Sequence, residues 1–142
     1  MGVEENKALV HRLYELYNQH DLDATVELYS PDWHAGPFTL EQNKKYDVIL
    51  HNAFPDLTCT ILDMVAEGDE VAYIVNGKGT HTGAPYMGAQ PEGKKIEMTN
   101  TWIVTIVDNK IVEHKGTGDF VTPLQQLGVI PPIQVFPEEI LA

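Results

Sequence analysis

Lys110-Ile-Val-Glu-His-Lys-Gly-Thr-Gly-Asp-Phe120 begins just behind the turn pair Asp108-Asn109 and relaxes through Gly116 and Gly118 before one carboxylate, Asp119. Such a stretch reads as the second strand of a hairpin. A two-residue turn sets Val107 opposite Lys110 and Ile106 opposite Ile111. An unbulged ladder then continues with Trp102 opposite Lys115, Asn100 opposite Thr117 and Met98 opposite Asp119. These residues share one face with Val104: apolar near the turn, mixed farther along. Apolar walls with a few convergent polar groups are what a ligand pocket needs. The opposite face would carry Thr101, Ile103, Thr105, Val112 and His114, a β-branched surface suited to a second copy of the chain.

Upstream, the period of two persists back to Asp56, with a strand over Leu57–Glu67, a turn at Gly68-Asp69, a strand from Glu70 to about Thr82 and a third over Lys94–Val107. Gly83–Gly93, with three glycines and two prolines, reads as a long loop. Before Asp56 the period is helical. Leu9, Leu13, Leu16 and Tyr17 define one face of a helix over Glu4–Gln19. Asp21 is placed to cap a short second helix ending near Tyr29, and Trp33–Phe38 reads as a loop or short strand. Thr39 and Gln42 have the spacing of a capping box ahead of a third helix, which presents Tyr46, Ile49, Leu50, Ala53 and Phe54 and is stopped by Pro55. After Phe120, Thr122 and Pro123 open a short helical turn closed by Gly128. Helices followed by antiparallel strands predict an α+β fold, with the helices covering one face of a single sheet. Residues 1–130 make one domain and residues 131–142 an extended C-terminal tail.

The chain has 142 residues, enough for a single domain with a real core. Its formal charge of −12, without any basic cluster, argues against nucleic acid and against an anionic membrane surface as partners. One cysteine, Cys59, excludes an internal disulfide and reads as a small buried hydrophobe. The N-terminal residues lack an apolar leader segment and no stretch has membrane-spanning length, so the expected location is the cytoplasm. His11, His20, His34, His51, His81 and His114 show neither H-x-H nor H-x-x-x-H spacing, so no metal and no cofactor is expected. His81 reads as a hydrogen-bonding loop residue, and His34 as a residue of the pocket mouth.

Several segments resemble the SnoaL-like polyketide cyclases. They are Ala53-Phe-Pro-Asp-Leu57, Val65-Ala-Glu-Gly-Asp69, Gly79-Thr-His-Thr-Gly83, Lys110-Ile-Val-Glu-His114 and Leu124-Gln-Gln-Leu-Gly-Val-Ile130, in the family's order along nearly the whole chain. The resemblance implies the nuclear-transport-factor-2-like fold: a cone of helices against a strongly curved mixed or antiparallel sheet (a cystatin-like α+β barrel) around a deep apolar pocket. It also implies a cofactor-independent intramolecular aldol condensation on a hydrophobic carbonyl compound, with Asp119 at the position of the family's acid/base. Two positions depart from the family pattern. Lys115 stands where the EHW element has its aromatic, and Gly118 replaces a commonly aromatic residue.

For such chemistry Asp119 needs a pKa raised toward neutrality by desolvating walls, for which Met98, Trp102 and Phe54 are candidates. An enolate oxygen needs a hydrogen-bond donor, for which Asn100, His34 and Trp102 are candidates. Thr117, Tyr17 and Lys115 complete the expected substrate-binding set, Lys115 either steadying the enolate or pairing with Asp119. The alternative is a non-catalytic binding or oligomerisation module of the same fold. Under either reading the partners are a hydrophobic small molecule and further copies of the chain, as a dimer or tetramer packed through the sheet.

Overall fold

The computed structural model describes residues 2–131 and 137–142. Its elements are α1 (Val3–Asn18), α2 (Leu22–Val26), β1 (Tyr29–Ala35), β2 (Phe38–Thr39), α3 (Leu40–Ala53), β3 (Thr58–Glu67), β4 (Glu70–Thr80), β5 (Lys95–Val107), β6 (Lys110–Thr117), α4 (Val121–Gln126) and α5 (Glu138–Leu141). The six strands form one mixed sheet in the order β2-β1-β6-β5-β4-β3. This sheet is open, with β2 and β3 at its edges.

Local chemistry explains most element ends. Asp21 accepts the Ala24 N–H at 3.1 Å and caps α2, and Thr39 and Gln42 complete the capping box of α3. At the β5–β6 turn both Asp108 (φ +50°) and Asn109 (φ +61°) take the left-handed conformation. A two-residue turn matched to strand twist requires this, and Asp and Asn tolerate it. The cap of α4 differs from expectation. Thr122 lies inside that helix, and Asp119 accepts the N–H groups of Val121 and Thr122 at 3.1 and 2.9 Å. The tail also differs at its end, where Pro137 precedes the single helical turn of α5. The middle of the expected extended tail lies outside the described residues.

Of the loop or short strand expected over Trp33–Phe38, the strand is found, though it is longer and starts at Tyr29. This strand, β1, runs parallel to β6, pairing Tyr29 with Ile111 and His34 with Glu113. A parallel neighbour so distant in the chain leaves no local pattern to read.

The second difference decides the site. β5 and β6 pair as expected at Val107↔Lys110 and Ile106↔Ile111, but the next pair is Thr105↔Glu113. Val112 is an extra residue, a bulge, and every later side chain of β6 changes face. His114 now opposes Val104 and Gly116 opposes Trp102. His114 therefore points inward, and Lys115 and Thr117 go to the outer face.

α1 packs on β3 and β4, α3 on β1, and α4 on β5. The core divides in two. Leu9, Val10, Leu13, Trp33, Val71, Tyr73, Val104, Ile106 and Ile111 pack beneath the middle of the sheet. Leu50, Ala53, Phe54, Leu57, Tyr86, Ile96 and Leu127 close the other end. There the family-like segments clamp one another. Asp56 accepts the Thr80 N–H at 2.6 Å and the Thr80 hydroxyl at 2.7 Å, and His81 bonds the Ala84 carbonyl at 2.8 Å while packing on Phe54. Their chemistry is structural, and His81 is the loop hydrogen-bonder its sequence context predicts.

Candidate functional site

Between the helices and the inner face of the sheet lies a cavity of about 760 Å³. Leu13, Leu50, Leu57, Val75, Met98 and Trp102 supply apolar wall; Tyr14, Tyr17, Tyr46, Asp47, Asn100, His114 and Asp119 supply polar groups. Of the residues expected here, Asp119, Asn100, Trp102, His34, Met98, Lys115 and Tyr17 line the cavity. Phe54 does not. The last turn of α3 carries it away from the cavity, and it is fully buried against His81 and Tyr86. Thr117 is exposed on the outer side of the bulged strand. Lys115 flanks the cavity, but its ammonium bonds Glu70 Oε2 on β4 at 2.6 Å, so its partner is Glu70 and not Asp119. His34, half exposed, places Nε2 3.4 Å from Glu113 Oε2 at the rim.

Asp119 sits where β6 gives way to α4. Asn100 Oδ1 accepts its backbone N–H at 2.7 Å, and its own carboxylate caps α4. Hydrogen bonds from Thr122 and Val121 hold its pKa below the ordinary carboxylate value, outweighing a smaller upward push from burial. A raised value was expected. The cap reverses the sign, because the carboxylate meets the Thr122 hydroxyl first, and then the amide donors of Thr122 and Val121, before it meets apolar wall.

Two groups that the sequence pattern did not single out matter more. Asp47, on α3, is a part-buried carboxyl of the cavity wall. Tyr17 donates to its Oδ1 and Asn43 to its Oδ2, both at 3.3 Å. Burial pushes its pKa up to about 7, against a smaller downward pull from the Tyr17 hydroxyl. Its signal was available: Asn43, Asp47, Leu50 and Phe54 share a helical stripe, and an acid in such a stripe enters the interior. His114 is the other. It is buried among Trp33, Trp102 and Tyr29 and hydrogen-bonded to Trp33 and Tyr73. Burial pulls its pKa down to about 3, so it is neutral. Cys59 also reaches the cavity, but burial, with a smaller contribution from Asp47, pushes its thiol up to about 12, leaving it inert at neutral pH.

These two shifts oppose one another in the pH dependence of folding. The folded Asp47 keeps its proton above the unfolded value, so its contribution is complete at low pH and is lost as pH rises toward 7. The folded His114 refuses a proton that the unfolded chain binds below 6.5, so its contribution is lost as pH falls. Between pH 4 and 6.5 the slopes cancel. Asp47→Asn removes one of them. Its stability relative to the wild type is expected to rise by about 3 kcal/mol from pH 4 to pH 6.5 in urea unfolding. A constant difference would show that Asp47 is not held protonated.

Helices over an open mixed sheet, with a cavity between them lined by carboxyls, phenols and indoles, define the SnoaL/NTF2-like class of protein. The sequence matches the family model of the SnoaL-like polyketide cyclases over residues 7–127, and the chain belongs to that family. A comparison with curated proteins gives no match. Among solved structures, it is similar to AclR, described as a proposed hydroxylase from Streptomyces galilaeus. They are 28% identical with a TM-score of 0.85, over 99% of this chain and 89% of that one. It is also similar to wild-type IdmH, a proposed polyketide cyclase from Streptomyces antibioticus. There the identity is 34% and the TM-score 0.74, over 87% and 98% of the two chains. A SnoaL-like protein from Jannaschia sp. CCS1, 20% identical with a TM-score of 0.76 over 91% and 95%, shares the fold. Membership of this family supports a catalytic role.

Proposed function

We propose that the protein is a cofactor-independent acid/base enzyme that closes a ring in a hydrophobic, carbonyl-bearing small molecule by intramolecular aldol condensation. The observation that carries this reading is a pair of carboxyls in one cavity whose pKa values are pushed in opposite directions, Asp119 down and Asp47 up to about 7. Divergent environments of this kind assign base and acid roles. Asp119, ionised at neutral pH, takes the proton from the carbon next to a ketone. The resulting enolate carbon bonds to a second carbonyl carbon of the same molecule. The alkoxide so formed takes its proton from Asp47, and the proton on Asp119 returns to Asp47 through solvent. The net change is an isomerisation, with no oxidant or reductant.

Asp119 starts as a weak base. An apolar ligand that fills the cavity strips water from it and strengthens it. Met98 and Trp102 remain the walls proposed to do this.

A model diketone, 1-phenylheptane-1,6-dione, tests the assignment, because its enolate can attack the remote ketone to form a five-membered ring. Ring closure should exceed the buffer rate and fall above pH 7 as Asp47 loses its proton. Asp47→Asn should be slower and should lack that limb. Closure no faster than in buffer, or an unchanged limb in the variant, would contradict the proposal. A product carrying an added oxygen instead of a new ring would mark the second reading, hydroxylation, which the likeness to AclR favours.

Assembly belongs to the same proposal. Val65, Ala72 and Ile103 stand in one row across β3, β4 and β5 on the outer face, Val65 and Ile103 exposed. This row is proposed as the surface that packs against a second copy. Sedimentation should give a dimer or larger that Ile103→Lys dissociates; a monomeric wild type would refute it.

A further inference from the structure

Four buried or cavity-facing groups form a hydrogen-bond chain across β1, β6, β4 and α1. Trp33 Nε1 lies 2.9 Å from His114 Nδ1, His114 Nε2 lies 3.2 Å from the Tyr73 hydroxyl, and that hydroxyl lies 2.9 Å from the Tyr14 hydroxyl. Donor counting gives the chain a direction. An indole N–H only donates, so His114 Nδ1 must accept. The imidazole is buried and neutral, so its one proton is on Nε2 and is donated to Tyr73. Tyr73 is buried, its hydroxyl already accepts from His114, and Tyr14 is the acceptor within reach of its single proton. Tyr14 therefore accepts, and its own proton has no acceptor among the described residues. Tyr14 lines the cavity, whereas Tyr73 stands behind it.

From this geometry we infer that the Tyr14 hydroxyl is the donor that receives a ligand's carbonyl oxygen and, after α-proton removal, its enolate oxygen. Each link polarises the next, so the terminal O–H is a stronger donor than an isolated phenol. It is also fixed in orientation before the ligand arrives, which is what stabilisation of a developing oxyanion requires. Burial and the neighbouring Tyr73 hold the Tyr14 pKa well above its ordinary value, so it keeps its proton at any working pH. Tyr14 and Asp47 then serve different oxygens, Tyr14 the enolate and Asp47 the alkoxide. The assignment rests on the carbonyl-ligand reading of the cavity.

The probe is 2-acetylnaphthalene, an aryl ketone, bound to the intact protein and observed by infrared difference spectroscopy without turnover. In the wild type its carbonyl stretch should move to lower wavenumber than in an apolar solvent. Tyr14→Phe should abolish that shift and weaken binding about tenfold. Tyr29→Phe, which removes a cavity phenol with no chain behind it, should leave the shift in place. Tyr73→Phe separates a directed chain from a lone phenol: with the Tyr73 hydroxyl gone nothing donates to Tyr14, so the shift should shrink although Tyr14 is present. A wild type without a shift, a shift that survives Tyr14→Phe, or a shift that Tyr73→Phe leaves at full size overturns the inference. A cavity that binds and polarises the ketone yet never closes a ring would sink the reaction and leave the Tyr14 assignment standing.

Discussion

Gly83→Ala is expected to destabilise the protein by about 3 kcal/mol or more and to lower Tm by about 10 °C. Gly83 donates its N–H to the Ala53 carbonyl at 3.1 Å, and Ala84 donates to the Asn52 carbonyl at 2.8 Å. This pair of bonds pins the loop after β4 to the last turn of α3. An alanine Cβ at position 83 would fall within the van der Waals envelope of the Asn52 carbonyl oxygen, and Ala53 O lies close by. Both obstacles are backbone and cannot rotate away, so one or both hydrogen bonds must break. The same turn of α3 carries Ala53 and Phe54, both fully buried, so the disturbance reaches the core at that end. Urea unfolding of the variant measures the effect; a loss below 1 kcal/mol would show that the clamp is slack. Gly118→Ala is a milder contrast. Its Cβ would meet the rings of Trp102 and Phe120 at 3.1 Å, and side chains can give way by a few tenths of an ångström.

Elements governed by local chemistry were legible in the sequence. The α1 face, the α3 capping box, the Asp21 cap and the Asp108-Asn109 turn depend on residues a few positions apart, and each appears as read. What escaped depends on distant partners. β1 is a strand because β6 is there to pair with it, and no period within Tyr29–Ala35 announces a parallel neighbour 80 residues on. The bulge at Val112 has the same cause. No glycine marks it, and the natural suspects for a break in the ladder, Gly116 and Gly118, lie beyond it. One extra residue exchanged the fates of His114 and Lys115: the imidazole went to the interior and the cation to an outer pair with Glu70. The inward face of β5 survived this slip, so Met98, Asn100 and Trp102 line the cavity as expected. Asp47 was overlooked for a different reason. Its stripe on α3 was read for apolar residues, and an acid facing the cavity gives no hydropathy signal, only a position.

Asp119→Asn should abolish proton transfer and spare the fold. Asn caps a helix as well as Asp does, so its Oδ1 can still accept the N–H groups of Val121 and Thr122 that close α4. Its backbone N–H remains bonded to Asn100. The amide has no basic lone pair to take a proton, and loss of a positioned general base costs about 100-fold to 10,000-fold in rate. The decisive measurement needs no knowledge of the natural substrate. 2-Acetylnaphthalene is incubated with the protein in deuterium oxide near neutral pH, and replacement of its methyl protons is followed by proton NMR. The wild type is predicted to exchange them well above the buffer rate, and Asp119→Asn, with unchanged unfolding, at least 100-fold more slowly. Exchange in the variant as fast as in the wild type would contradict the account.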